Sequence, residues 1–377
     1  MKFAAFTTVA ASAGEATDAA GLLDNLRQQT ILAEELGFEA IWLGEHHFGP
    51  YAAGDIPNPI LLGADLAART SRIRIGQMAN IAPWWHPIRL AEDLAILDQL
   101  TGGRVDVGFG RGIWPYEGPQ FHPNADPRKD RENRELFRET VEIVREIWTS
   151  EYFSHQGANY RFPAEDTVFS HPKYPPDPAW QDGERVTKLR VTPRPHQQPH
   201  PPMWMTVSSD SSVATAAELG LNACYWQPPA RRIRQRMEIY ARVRAEREGR
   251  PFALGEGQAV MRSTYVASSM EQARREAEAA IMSAFIFNDP FRGRQVFTDP
   301  GEVLDPDVQL DWDFLEPRTL LVGSPEHVVE KIQELQEVCN LGYLLVEFSH
   351  MGLPLAKSLR NLETFATEVM PRFSGDG

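Results

Sequence analysis

Four short segments of this chain carry side chains whose types and spacing suit chemistry on a bound ligand. The first is Gly44-Glu45-His46-His47-Phe48. Neighbours on extended chain point to opposite sides, so Glu45 and His47 share one side and His46 takes the other. One histidine is then free to face a ligand as a proton donor or acceptor. Two other readings stand beside this one: a histidine pair hydrogen-bonded at a loop base, and a metal site. Barrel metallohydrolases usually carry a His-x-His on their first strand, and here that place reads Phe3-Ala4-Ala5-Phe6, which counts against metal. The second segment, Gln77 to Pro87, holds Trp84 and Trp85, fit either to floor a flat ligand pocket or to pack. The third, Gly108-Phe109-Gly110-Arg111-Gly112, lets a ligand approach the backbone and offers a guanidinium to an anion. As a pattern it is weak, and a glycine turn with a solvated arginine reads equally well. The fourth is Ser208-Ser209-Asp210-Ser211-Ser212. Serines at a helix start are ordinary N-caps, yet the same place presents free N–H groups and the positive end of a helix dipole to a phosphate. Asp210 is then expected to point away.

These segments need elements to hold them. The hydrophobic pattern predicts eight strands: Phe3–Val9, Glu39–Leu43, Arg72–Met78, Val105–Phe109, Met203–Val207, Leu221–Trp226, Gly257–Ala267 and Tyr343–Phe348. Helices are expected between them over Asp18–Leu36, Pro59–Thr70, Pro87–Leu100, Arg128–Trp148, Ser212–Leu219, Pro229–Glu248, Met270–Ile286, Pro325–Val338 and Leu355–Met370. Arg128–Trp148, rich in Arg/Glu pairs, reads as a solvated or subunit-facing surface. Alternation of strand and helix predicts a parallel sheet, and a count of eight favours closure into a (β/α)8 TIM barrel. Two irregular stretches, about 150–202 and 287–318, read as insertions near the C-terminal face of one domain over 1–377. Chemistry in such barrels sits in the loops after the strands' C-terminal ends, where all four segments fall.

The 377 residues carry 38 Lys+Arg against 52 Asp+Glu, a formal net charge of −14. That balance argues against nucleic acid and against anionic lipid as partners. With 42% hydrophobic and 24% charged residues the chain reads as folded. Cys224 and Cys339 lie apart in apolar stretches and read as buried thiols rather than a disulfide framework. The start is a poor signal peptide and no run of about 20 apolar residues exists, so a cytoplasmic protein is expected.

Taken together, the runs MKFAAF, IWLGEHHF, RIRIGQMANIAPWWHPIRLAEDLAILDQLTGGRVDVGFGRG, NRELFRE, PPMWMTVSSDSSVATAAELG, GSPEHVVEKI and LETFATEVMP resemble the bacterial luciferase-like flavin-dependent monooxygenases, in family order and over nearly the whole chain outside the insertions. The resemblance implies a two-component enzyme that takes reduced FMN from a separate, transiently bound flavin reductase and uses O2, through a C4a-(hydro)peroxide, to oxygenate a small organic substrate. It implies His46 beside the reactive face of the flavin. Met78-Ala79 matches a non-proline cis peptide behind the ring, Arg111, Arg134, Ser209 and Ser212 match phosphate ligands, and Ser208 matches a flavin contact. It also implies a homodimer. Bacterial luciferase has a reactive cysteine where this chain has Gly110, so light emission does not follow.

Phe6, Trp84, Trp85, Trp114, Trp226 and His350 lie at or near predicted strand ends and are candidate substrate contacts. Trp180, Phe169, Trp312 and Phe314 in the insertions are candidates for a lid that keeps water out. The competing readings are a deazaflavin F420-dependent hydride-transfer enzyme on the same scaffold, a flavin-binding protein without catalysis and, more remotely, a metal hydrolase. The aromatic residues point to an apolar or ring-bearing substrate, and the fold does not choose the reaction subtype.

Overall fold

The computed structural model describes residues 1–7, 18–48, 57–305 and 307–374. Eight parallel strands follow one another: β1 (Lys2–Thr7), β2 (Ala40–Leu43), β3 (Arg74–Gln77), β4 (Val105–Gly110), β5 (Met203–Val207), β6 (Asn222–Trp226), β7 (Gln258–Val266) and β8 (Tyr343–Ser349). They are ordered β5-β6-β7-β8-β1-β2-β3-β4, and β4 pairs with β5 to close the barrel. All eight expected strands are present, with ends that coincide or differ by at most two residues. Positions 8 and 9 of the first predicted strand lie outside the described residues.

The helices are α1 (Ala19–Glu35), α2 (Pro59–Ala67), α3 (Pro87–Thr101), α4 (Asp130–Thr149), α5 (Asp210–Glu218), α6 (Ala230–Glu248), α7 (Met270–Arg292), α8 (Trp312–Thr319), α9 (Pro325–Cys339) and α10 (Leu355–Thr364). Their ends follow from local chemistry. The Asp18 carboxylate caps α1 by accepting from the Gly21 N–H, Pro87 opens α3, and Gly102 closes it in the left-handed conformation. Among the described residues no helix is long and apolar enough to cross a membrane.

The chain divides into two compact units. One comprises 1–80, 106–108 and 203–377; the other comprises 81–105 and 109–202. The first unit holds the barrel interior. Alternate residues of its strands, Ala4 and Phe6, Ala40 and Trp42, Cys224 and Trp226, Ala259 and Met261, Tyr343 and Leu345, gather with Met78 and Trp204 into one cluster, as inward-facing positions of a closed sheet must. Of its three tryptophans, Trp42 is the one fully buried. It fits because Gly76 faces it: a Cβ there would stand 2.3 Å from the indole. Its ring packs edge-on to Trp204 at 5.7 Å, and its Nε1 donates to the Tyr343 hydroxyl at 3.0 Å. In Trp42→Phe most of the ring remains and that bond is lost. A loss of about 1–2 kcal/mol is expected, read as a lower urea midpoint with an unchanged slope.

α1 and α2 are tied by Arg27, whose guanidinium donates to Asp65 at 2.7 and 3.0 Å; Arg69 adds a further contact. The Arg27 bonds, with Arg69, hold the Asp65 carboxyl down to about 2. A carboxyl lowered in the folded state adds stability above its unfolded pKa, about 4, and that stability is lost as pH falls through the folded value. Between pH 4 and 2 the native protein should therefore lose stability faster than Asp65→Asn, as urea melts at each pH will show.

The second unit contains α3, α4 and the proline-rich segment. The α4 surface is not wholly solvated as its Arg/Glu content suggests. Leu136, Phe137, Val141, Val144, Ile147 and Trp148 form a buried stripe, with the charges on the other face. Residues 150–202 are less irregular than expected and form two small hairpins, 155–156 with 161–162 and 181–182 with 185–186. Buried Glu139 on α4 anchors the first, accepting from the Asn159 and Tyr160 backbone N–H groups and from the Asn159 side chain, with His155 at 3.0 Å. Buried Asp98 on α3 accepts two 2.8 Å bonds from Gln197.

The second irregular stretch is likewise corrected. α7 runs on to Arg292, passing Pro290 in its last turn, where only one helical N–H is forfeited. A 3-10 turn over Arg294–Phe297 and α8 follow. Trp312 and Phe314 are buried there with Phe285, Phe297 and Leu315. They are core residues of the first unit and not an open lid. Phe169, in contrast, is exposed, with Trp180 at 5.5 Å. Both cysteines are buried, and burial pushes the Cys224 thiol to about 12 and the Cys339 thiol to about 11.

Candidate active site

The C-terminal ends of the barrel strands bring the first group of candidate residues together. Phe6 is in register with Trp42 on one side and Glu347 on the other, while Met261 is in register with Trp226 and Leu345. Phe6, Met78, Met261 and Trp226 thus line one apolar region in the upper interior. The Met78–Ala79 peptide is cis, as the resemblance implies. Beside it β4 approaches β3 so closely that a Cβ on Gly108 would stand 1.8 Å from the Gln77 carbonyl oxygen.

Polar groups complete this end. Glu347 points inward with Leu345 and Tyr343, by strand alternation. Its carboxylate accepts from the Ser263 hydroxyl at 2.6 Å, and the buried Gln227 amide donates to the same hydroxyl at 2.6 Å. Sequence reading missed all three. The available signal was a glutamate inside the apolar run Tyr343-Leu344-Leu345-Val346-Glu347-Phe348. His350 is buried, its Nε2 lies 3.4 Å from the Thr264 carbonyl oxygen, and its Nδ1 is 4.0 Å from Glu347. Burial pushes its pKa down, so the ring is neutral at pH 7.

After β2, His47 Nε2 lies 3.1 Å from the buried Glu45 carboxylate. This pairing puts Glu45 and His47 on a common side, as alternation predicts. His46 is partly buried.

At the start of α5 the serines hydrogen-bond one another. Ser209 and Ser212 form a reciprocal capping box. The Ser212 hydroxyl accepts from the Ser208 and Ser209 N–H groups at 3.1 and 3.0 Å and donates to the Ser209 carbonyl. Ser208 is exposed at the strand end. Asp210 is turned to Arg236 at 3.1 Å, which neutralises the one acid at this helix start.

The second unit contains the remaining candidates. Arg111 donates both terminal nitrogens to one Asp130 oxygen at 3.0 Å, and Arg134 donates to the other at 2.8 Å. Asp130 itself is exposed. Two guanidinium groups thus converge on one accessible carboxylate, a donor set of the kind that phosphate monoesters also pair with. Burial pushes the Arg111 pKa down, and Arg134 followed by Arg111 pulls that of Asp130 down. Trp84 packs with Ile81, Ala125 and Leu136 and stacks on Phe121 at 5.4 Å, with Trp85 against the same cluster. Trp114 is buried against Tyr116. All three tryptophans pack within this unit.

The fold is a closed (β/α)8 barrel. Residues 1–339 match the model of the luciferase-like monooxygenase family, and the chain belongs to that family. Among its relatives is the oxygenase component of a flavin-dependent trigonelline monooxygenase from Acinetobacter baylyi, 26% identical over 365 residues, covering 94% of this chain and 90% of the relative. The 3,6-diketocamphane 1,6-monooxygenase of Pseudomonas putida is 25% identical over 360 residues, covering 92% and 91%. Among solved structures, monooxygenase RslO1 from Streptomyces bottropensis superposes with a TM-score of 0.78 at 25% identity, covering 99% of this chain and 100% of that one.

Proposed function

We propose that this chain is the oxygenase component of a two-component monooxygenase, working with reduced FMN from a separate flavin reductase and oxygenating a small apolar or ring-bearing organic compound. The observation that carries the reading is the convergence of Arg111 and Arg134 on a single anion position in a chain of this family. When bound, reduced FMN supplies the electrons with which O2 is split between product and water. Arg111 and Arg134 would hold the phosphate, and the family resemblance assigns the capped start of α5, with Ser208, Ser209 and Ser212, to the same cofactor. The Met78-Ala79 backbone would back the flat ring, as the family resemblance implies. Phe6, Met261 and Trp226 exclude water from the upper barrel, which favours oxygen transfer over loss of hydrogen peroxide. His46 holds or moves the proton at its imidazole.

Support for this reading comes from the relatives' own names, which include a flavin-dependent oxygenase component, and from a diketocamphane monooxygenase solved with FMN (TM-score 0.76, 24% identity). F420-dependent enzymes also share the fold, at 17% and 15% identity. We read residues 1–377 as one luciferase-like domain, acting as a cytoplasmic homodimer. The test is a screen of small ring compounds with photoreduced FMN in air, scoring peroxide release against product. A compound that lowers peroxide yield while gaining one ¹⁸O atom from ¹⁸O2 supports the proposal. Uniform peroxide release across a broad panel, or no flavin-dependent oxygen uptake, counts against it.

A further inference from the structure

Trp226 ends β6 and touches two clusters. One is the upper barrel interior with Phe6, Met78 and Met261. The other lies under the end of α7, where Phe285 and Phe297 stand 5.8 and 5.9 Å from the Trp226 ring. The last residue of α7, Arg292, lies over that ring with its guanidinium carbon 3.9 Å from the centroid. A ring face attracts a cation but offers no lone pair in the guanidinium plane. The Arg292 Nε is buried and has no hydrogen-bond partner among the described residues. The acid nearest in sequence is already engaged: Asp289 pairs with Arg294 at 3.0 Å. Burial pushes the Arg292 pKa down to about 10, so the group remains a cation at neutral pH. Arg292 is half-buried with its Nε shielded from water; a partly desolvated guanidinium without an anion is costly, and planar forked N–H donors fit a carboxylate best.

We propose that Arg292 is a substrate-specificity residue that binds the carboxylate of a small cyclic organic acid whose ring packs against the apolar end of the barrel at Trp226. The substrate class is therefore a ring-bearing carboxylate. This rests on the monooxygenase reading and narrows it. The flavin's phosphate is the other anion able to satisfy the same donors, and the test separates the two.

Isothermal titration of the full-length protein, with and without saturating FMN, is run with benzoate, phenylacetate and cyclohexanecarboxylate, each against its neutral amide. At least one acid is expected to bind about 10-fold or more tightly than its amide, a preference that falls below about 3-fold in Arg292→Met and is partly kept in Arg292→Lys. FMN affinity is expected to stay within about 3-fold of the parent protein in both variants, since the phosphate has its own charged ligands. Circular dichroism confirms that the variants fold. The inference is overturned if no acid is preferred, if the preference survives in Arg292→Met, or if FMN affinity falls with it. Absence of FMN binding in the parent protein would sink the monooxygenase reading instead, because the acid preference is also read without flavin.

Discussion

His46→Asn is expected to bind FMN as the parent protein does and to form oxygenated product about 10²- to 10⁴-fold more slowly, the range that one positioned acid–base group contributes. The Glu45–His47 contact of 3.1 Å engages one histidine of the pair, and the family resemblance assigns the proton-handling role to the other. An imidazole carries two ring nitrogens and can both accept and donate a proton. Asparagine keeps a hydrogen-bonding group of similar reach but cannot change protonation. The missing product should appear as hydrogen peroxide, with oxygen uptake largely retained. Steady-state assays that follow peroxide and product together check this. His47→Asn serves as the comparison and should leave the ratio of product to peroxide much closer to that of the parent. If both variants behaved alike, the assignment of His46 would be wrong.

Arg111→Met should weaken FMN binding by about 10- to 100-fold, the scale of losing charge-assisted hydrogen bonds to a phosphate. Methionine preserves much of the side chain's volume, so the loss reports charge and hydrogen bonding more than packing. Asp130→Asn provides the opposite arm. Asp130 occupies both guanidinium groups through its two oxygens, and in this account it stands where the phosphate goes. Removing its charge should leave FMN affinity unchanged or raised. Fluorescence titration of FMN against the three proteins measures both effects. A tenfold loss in Asp130→Asn would instead mean that Asp130 orders the arginines and does not merely await displacement.

The barrel was legible in the sequence because each strand is a short buried run flanked by turn residues, and each helix has a chemical start or stop. Asp18, Pro87 and Gly102 act where their types predict. The segments most poorly read had mixed signals. Asn288-Asp289-Pro290 looks like a break, yet α7 continues through it because a proline near a helix end forfeits little. The charge of α4 masked a buried stripe whose period is clear only when the Arg/Glu pairs are set aside. The candidate ligands for an anion were legible as arginines and serines. Their geometry was not: nothing in the spacing of Arg111, Asp130 and Arg134 says that the acid between them is shared by both. Glu347, Ser263 and Gln227 were missed because they come from three separate strand ends and become a network only when the barrel closes. Arg292 was hidden for the same reason, lying 66 residues beyond the tryptophan it covers.

The central claim is that this protein binds reduced FMN and uses it with oxygen. An anaerobic equilibrium titration with photoreduced FMN and, in parallel, with reduced F420, followed by admission of air, tests it most directly. The account predicts saturable one-to-one binding of reduced FMN, clearly tighter than that of F420, and oxygen consumption on admission of air. Tighter binding of F420 with no oxygen consumption, or no binding of either, would contradict it.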